Sequence, residues 1–162
     1  MICVIGCGNP NRSDDGVGPE VVRILRALEF SASPEQLRLI DAGTDGMAAM
    51  FAARGAKSLI IVDACRSGSE PGAIFEVPGA TLEQSYAPSL NLHDFRWDHA
   101  LHAGRKIFRE DFPSDVTVLL IEAQSVAFGL GLSPATGHAA AKVVERVEAL
   151  IRARLQSPGT LA

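Results

Sequence analysis

The sequence predicts an α/β protein, a three-layer sandwich in which a mostly parallel twisted sheet carries helices on both faces. Three observations predict it. Residues 1–6, 37–41, 59–64 and 116–123 are short, rich in β-branched side chains and apolar almost without interruption, as strands covered on both faces must be. Between them lie segments whose apolar residues recur at helical spacing. Glycines and acids gather where the apolar runs end, and open sheets of this kind bind ligands beyond the carboxyl ends of their strands.

The elements follow in order. The first strand runs into the glycine turn Gly6-Cys7-Gly8-Asn9-Pro10, and Val17, Val21, Ile24, Leu25 and Leu28 then form one face of a first helix. The second strand ends at Asp41, and after Asp45-Gly46 the residues Met47, Met50 and Phe51 open a second, shorter helix. The third strand closes on Asp63-Ala64. The turn-rich stretch Gly68-Ser69-Glu70-Pro71-Gly72 precedes a further strand at residues 74–77, whose direction the sequence leaves open, and residues 81–89 read as a surface loop. His93, Trp97, Leu101 and Phe108 fall at helical spacing. In the last helix Ser133 is placed to cap, Pro134 pre-sets the first turn, and Val143, Val144, Val147, Leu150, Ile151 and Leu155 share a face. We expect one domain over residues 1–156 and a frayed tail over 157–162.

Composition removes several function classes. With 15 basic and 19 acidic residues among 162 the formal charge is −4, so no positive field is available for a nucleic-acid backbone. The N-terminus lacks a basic leader, and no run of about 18 apolar residues occurs, so no membrane association is expected and a cytoplasmic location is. Cys3, Cys7 and Cys65 are odd in number and without zinc-type spacing, which fits a reducing compartment. The chain is expected to act as a monomer.

Asp15, Asp63 and His93 stand out as a candidate open metal site: two hard oxygens and an imidazole suit a first-row divalent ion and leave coordination positions vacant for a substrate. Each has a plainer reading. The glycine turn can be a tight strand-to-helix connection in which Gly6, Gly8 and Gly16 allow unusual dihedrals and Ser13 or Asp14 caps the next helix. Asp14 is the expected cap, which leaves Asp15 to point elsewhere. An acid at the end of a buried strand, such as Asp63, needs a partner or a solvated cleft. His93 can be either a ligand or a core histidine bonded to a backbone carbonyl. His99 and His102 lie three residues apart, yet Asp94, Asp98 and Arg105 nearby point to a solvated surface. Cys7 and Cys65 flank the site, but a thiol nucleophile needs a base and a lowered pKa. No G-x-S-x-G elbow supports Ser125 or Ser133 as a nucleophile, and without H-E-x-x-H a self-sufficient zinc protease is disfavoured.

Five motifs in order, Gly6-x-Gly8-Asn9 with Asp14-Asp15-Gly16-x-Gly18, Asp41-Ala42-Gly43-Thr44-x-Gly46, Asp63-Ala64, His93, and Gly131-Leu132-Ser133-Pro134, resemble the hydrogenase maturation endopeptidases over nearly the whole chain. The resemblance implies a phosphorylase/hydrolase-like α/β fold. It also implies a peptide hydrolase that trims a C-terminal peptide from the nickel-loaded precursor of the [NiFe]-hydrogenase large subunit. By the same resemblance Asp15, Asp63 and His93 are the metal-contacting and catalytic set, and Asp41, Gly43 and Thr44 serve substrate recognition. The metal it implies is nickel brought by the substrate, replaceable by another divalent cation in vitro. Ala42 departs from the usual Asp-Gly-Gly-Thr, and Leu92 before His93 departs from the common small or polar residue, so the neighbouring histidines stay open as the imidazole. The loop at residues 81–89 and the Asp41 loop are expected to set specificity.

Two other readings attach to the glycine turn. It also resembles the opening of peptidyl-tRNA hydrolases, which need an Asn and His pair soon after it and a basic face; here Asp14-Asp15 occupies that region. A nucleotide-binding module is the second. It lacks the full G-x-G-x-x-G, because Asn11 replaces the third glycine, and the two acids would repel phosphates.

Overall fold

The computed structural model describes residues 1–82 and 97–156. Five strands form one sheet in the order β2-β1-β3-β5-β4: β1 Ile2–Cys7, β2 Leu37–Gly43, β3 Ser58–Cys65, β4 Ile74–Pro78 and β5 Asp115–Glu122. The four strands predicted as parallel join through three parallel pairings, and β4 runs antiparallel along the outer side of β5, which settles the direction left open by the sequence. The helices are α1 Val17–Arg26, α2 Gly46–Ala53, α3 Gly79–Leu82, α4 Trp97–Phe108 and α5 Pro134–Gln156. Residues 81 and 82, expected in a loop, end the short α3, and residues 83–89 of that loop lie outside the described residues, as does the expected tail at 157–162.

Strand alternation divides the interior in two. Val4, Ile60, Val62, Leu119 and Ile121 face α1 and α5, where they meet Val21, Leu25, Val143, Val147 and Ile151. Ile5, Leu59, Ile61 and Val118 face the other way, onto Met50, Trp97, Leu101 and Phe112 around α2 and α4. Period-two side chains on strands apolar at every position thus produce the three layers. Because α1 and α2 cover opposite faces, β1 has β2 on one side and β3 on the other. The chain therefore reverses direction across the sheet between β1 and β3, and a crevice opens at their carboxyl ends.

Close packing at that crevice needs glycine. A Cβ on Gly6 would stand 2.2 Å from the carbonyl oxygen of Gly18, and one on Gly18 would stand 2.2 Å from that of Cys7, so β1 and the start of α1 touch backbone to backbone. A register shift after Gly6 pairs Cys7 with Gly43. Gly43 takes the left-handed conformation at φ +54°, so the positive dihedral in the second loop falls there and Ala42 is accommodated as a buried residue.

Glu122 fixes the far end of the sheet. Its buried carboxylate accepts the Ser67 and Gly68 N–H groups at 3.0 Å and the Ser67 hydroxyl at 2.7 Å, which ties the loop after β3 to the end of β5. The Ser67 amide and hydroxyl and the other donors outweigh burial and hold the Glu122 pKa down at about 2, against an ordinary 4.5. A carboxylate depressed in the folded state stabilises fully above its unfolded pKa and loses that contribution as pH falls through the folded value. Glu122→Gln should therefore lower the melting temperature at pH 7, and the gap to the parent should close between pH 4.5 and about 2, as followed by thermal unfolding across that range.

Candidate active site

The crevice is a cleft of about 150 Å³ lined by Asp15, Asp63, Gly43, Thr44, Asp45 and Trp97 with the Cys7-Gly8 backbone. Three loops build it, those after β1, β2 and β3, as the strand-end acids predicted. Asp15 reaches it from a 3-10 turn, Ser13–Gly16, that joins the glycine turn to α1. Its Oδ2 accepts the Asn9 N–H at 2.9 Å, so the amide that a phosphate-binding turn would offer to its ligand is committed to a carboxylate. Gly8 makes the approach possible. At φ +126° it lies so close to the carbonyl of Asp15 that an added Cβ would be 1.8 Å from that oxygen and 3.6 Å from Asp63 Oδ1. The turn thereby brings the first acid alongside the second.

Asp63 stands at the end of β3 and is only 5 % exposed, yet it lines the cleft. Its Oδ1 accepts the Ala64 N–H at 2.8 Å and its Oδ2 accepts the indole N–H of Trp97 at 2.5 Å. The demand that a strand-end acid find a partner or a cleft is met by both at once. Trp97 is buried at the start of α4, where helical spacing marked it as a core residue; it is that, and it also orients the Asp63 carboxylate. His93 lies outside the described residues. Among those described, no three His, Cys, Asp or Glu side chains assemble into a metal-binding group, and of the expected set Asp15 and Asp63 both line the cleft.

Of the three residues expected in recognition, Gly43 and Thr44 line the cleft and Asp41 does not. Asp41 is exposed and its Oδ1 accepts the Gly43 N–H at 2.9 Å, shaping the loop that presents the other two. Gly8 N–H donates to Gly43 C=O at 2.8 Å, which joins that loop to the glycine turn. Asp45, not singled out in the sequence, closes the same loop by capping α2 through the Met47 and Ala48 amides.

The predicted cap requires correction. Neither Ser13 nor Asp14 caps the turn or α1 with its side chain. Asp14 is instead fully buried and accepts the N–H groups of Gln124, Ser125 and Ser133 and the Ser133 hydroxyl, from residues more than a hundred positions away. Burial pulls its pKa upward, but the donors of Ser133, Ser125 and Gln124 together outweigh it and hold the group ionised below the ordinary carboxylate range. With Asp14 anchored inward, Asp15 is left to face the cleft.

A model of the hydrogenase maturation protease family (HycI) matches residues 21–150. The chain belongs to this family. The hydrogenase 2 maturation protease of Escherichia coli K12 is 28% identical over 153 residues, spanning 93% of this chain and 90% of that one. The coenzyme F420 hydrogenase subunit delta of Methanothermobacter thermautotrophicus is 33% identical over 109 residues, 62% of this chain and 65% of that one. Among solved structures, the hydrogenase maturating endopeptidase HybD from E. coli superposes with a TM-score of 0.79 at 24% identity, covering 95% of this chain and 93% of that one, a likeness of fold.

The protease is thus a peptide hydrolase. Cys3, Cys7 and Cys65 are unbridged. Burial, together with the hydrogen bond from Cys65 Sγ to Glu122 at 3.3 Å, pushes the Cys65 thiol up to about 12, which keeps it protonated. The two other readings of the glycine turn give way to the family match. Among the described residues no helix is long and apolar enough to cross a membrane.

If Trp97 orients Asp63, then Trp97→Phe, which keeps the ring and removes the N–H donor, should lower kcat for peptide cleavage about 10-fold with KM little changed, the scale of one hydrogen bond to a charged group. Steady-state kinetics on the purified variant checks this.

Proposed function

We propose that this protease removes a C-terminal segment from the precursor of a [NiFe]-hydrogenase large subunit, and that it recognises the precursor through the nickel the precursor carries. The observation that supports it best is the convergence of Asp15 and Asp63, 48 residues apart in the chain, on one cleft that keeps Gly43 and Thr44 at its rim.

Two carboxylates held by a backbone amide and an indole are acceptors with their orientation already set. Asp15, Asp63 and His93 would together contribute oxygen and imidazole donors to the cargo ion, a set suited to a divalent first-row metal. The ion when present supplies Lewis acidity to the scissile carbonyl or to a bound water. The chain's own contribution is to hold the extended C-terminal segment along the Gly43-Thr44 loop and to place a carboxylate where it can take a proton from the attacking water. A set of two acids and one imidazole leaves coordination positions vacant and holds a free ion weakly, so in this reading the cargo and not the protease brings the ion. In this reading the protease acts in the cytoplasm as a monomer on a protein partner, with no nucleic acid or membrane involved.

The test is incubation of the purified protein with a large-subunit precursor, nickel-loaded or nickel-free, followed by mass spectrometry. Loss of a C-terminal fragment from the loaded precursor alone is the expected result. Cleavage of both forms would remove nickel from recognition and retain the processing activity; cleavage of neither would overturn the substrate assignment.

A further inference from the structure

The segment between β5 and α5 offers a surface that the cleft does not use. From Ala123 to Gly137 the chain carries no charged residue, although charged residues make up 21% of the whole. Within it Val126 and Leu132 turn inward onto the core, whereas Phe128 and Leu130 stand 82% and 84% exposed, the most exposed large apolar side chains described. The exposure does not come from a loose loop. Gly129 C=O accepts the Ser13 N–H at 2.8 Å, Gly129 N–H donates to Asn11 C=O at 3.0 Å, and Ser125 C=O accepts the Asp14 N–H at 3.1 Å. Arg12 Nε donates to Val126 C=O at 3.1 Å, Ser13 Oγ donates to Ala127 C=O at 3.0 Å, and the Arg12 guanidinium lies 4.7 Å from the centre of the Phe128 ring. Asp14 anchors both ends through Gln124, Ser125 and Ser133.

A backbone held by this many bonds presents its two large apolar side chains with little further loss of main-chain freedom when they are covered, and preorganisation of that kind favours binding a partner. Their placement indicates which partner. The loop is bonded residue by residue to Asn11, Arg12, Ser13 and Asp14, and the next residue is Asp15 in the cleft. A molecule seated on Phe128 and Leu130 therefore lies against the turn whose next residue is the cleft's first acid.

We propose that Phe128 and Leu130 form a docking ledge for the folded body of the hydrogenase large-subunit precursor, receiving an apolar patch next to the root of its C-terminal segment while that segment enters the cleft. The ledge rests on the functional reading above for its occupant. Absence of charge over Ala123 to Gly137 favours an apolar contact over an electrostatic one, and the bonding of this loop to the turn that carries Asp15 favours the substrate over an unrelated protein.

The test is the double variant Phe128→Ser/Leu130→Ser, with parent and variant assayed on the whole nickel-loaded precursor. KM should rise about 10- to 100-fold, as loss of two central apolar anchors does, with kcat within about twofold and the melting temperature unchanged. An unchanged KM in the variant, with a parent that does process the precursor, would overturn the ledge and leave the functional reading standing. Failure of the parent itself to bind or shorten the precursor would overturn that reading, and the ledge's occupant with it. Sedimentation of the parent as a dimer that the variant splits would also overturn the proposal, by assigning the ledge to a second copy of the chain.

Discussion

Replacing Asp15 by Asn should abolish precursor processing, with a fall of at least about 10³-fold, while the protein melts within about 2 °C of the parent. The reasons are local. Asp15 is half-buried, and the hydrogen bond that orients it among the described residues, from Asn9 N–H, can still be accepted by the amide oxygen of Asn. What disappears is one of the negative charges that line the cleft, and with it the oxygen donor and proton acceptor that the proposed mechanism assigns to Asp15. Mass spectrometry of the large subunit after incubation measures the first effect and thermal unfolding the second. A variant that keeps a tenth or more of the parental rate would remove Asp15 from the chemistry.

Asp14→Ala should act the other way, on stability first. The carboxylate sits at zero exposure and satisfies three backbone N–H groups and one hydroxyl that join the glycine turn to the start of α5. Truncation leaves those donors buried without an acceptor, at a cost of about 3–5 kcal/mol, or on the order of 10 °C in melting temperature. Asn is no rescue: its NH₂ would replace one of two oxygens that both face donors. Asp14 has its pKa lowered in the fold, so its stabilisation is present above its unfolded pKa and fades as pH falls through the lower folded value. The difference between parent and variant should therefore be large at pH 7 and shrink in acid. Equilibrium denaturation at both pH values gives the answer, and a difference that stayed constant would refute the ionised anchor. Because Asp15 follows directly, residual folded protein should also process slowly.

These neighbouring acids show where the sequence is legible and where it is not. The central strands could be read directly, since a parallel strand covered on both faces leaves no position for a polar side chain, and their ends moved by only a residue or two in the structure. Acids at strand ends likewise announced the cleft, because a charge beside a buried strand must be solvated or bonded. The task of each acid was less accessible. Asp14 and Asp15 are chemically alike, and local rules favoured a cap for the first. Its actual donors come from positions 124 to 133, a proximity created only when β5 is laid two strands away from β1.

The same limit applies to Trp97 and Glu122. Helical spacing places Trp97 on an apolar face, and it is buried there; that its N–H meets Asp63 depends on where α4 crosses the end of β3. Glu122 reads as the polar end of a strand, and nothing local reveals that the loop at Ser67 and Gly68 folds over it.

The amino-acid order by itself determined the layered α/β fold, the family likeness and the loops that hold the acids, because periodicity and burial act along the chain within a few residues. Only the tertiary structure decided which carboxylate faces the cleft, which one anchors the fold, and which two apolar side chains remain in water. Those outcomes depend on hydrogen-bond donors and neighbours brought together from distant positions, and a carboxylate's role is set by the donors around it rather than by its place in the sequence.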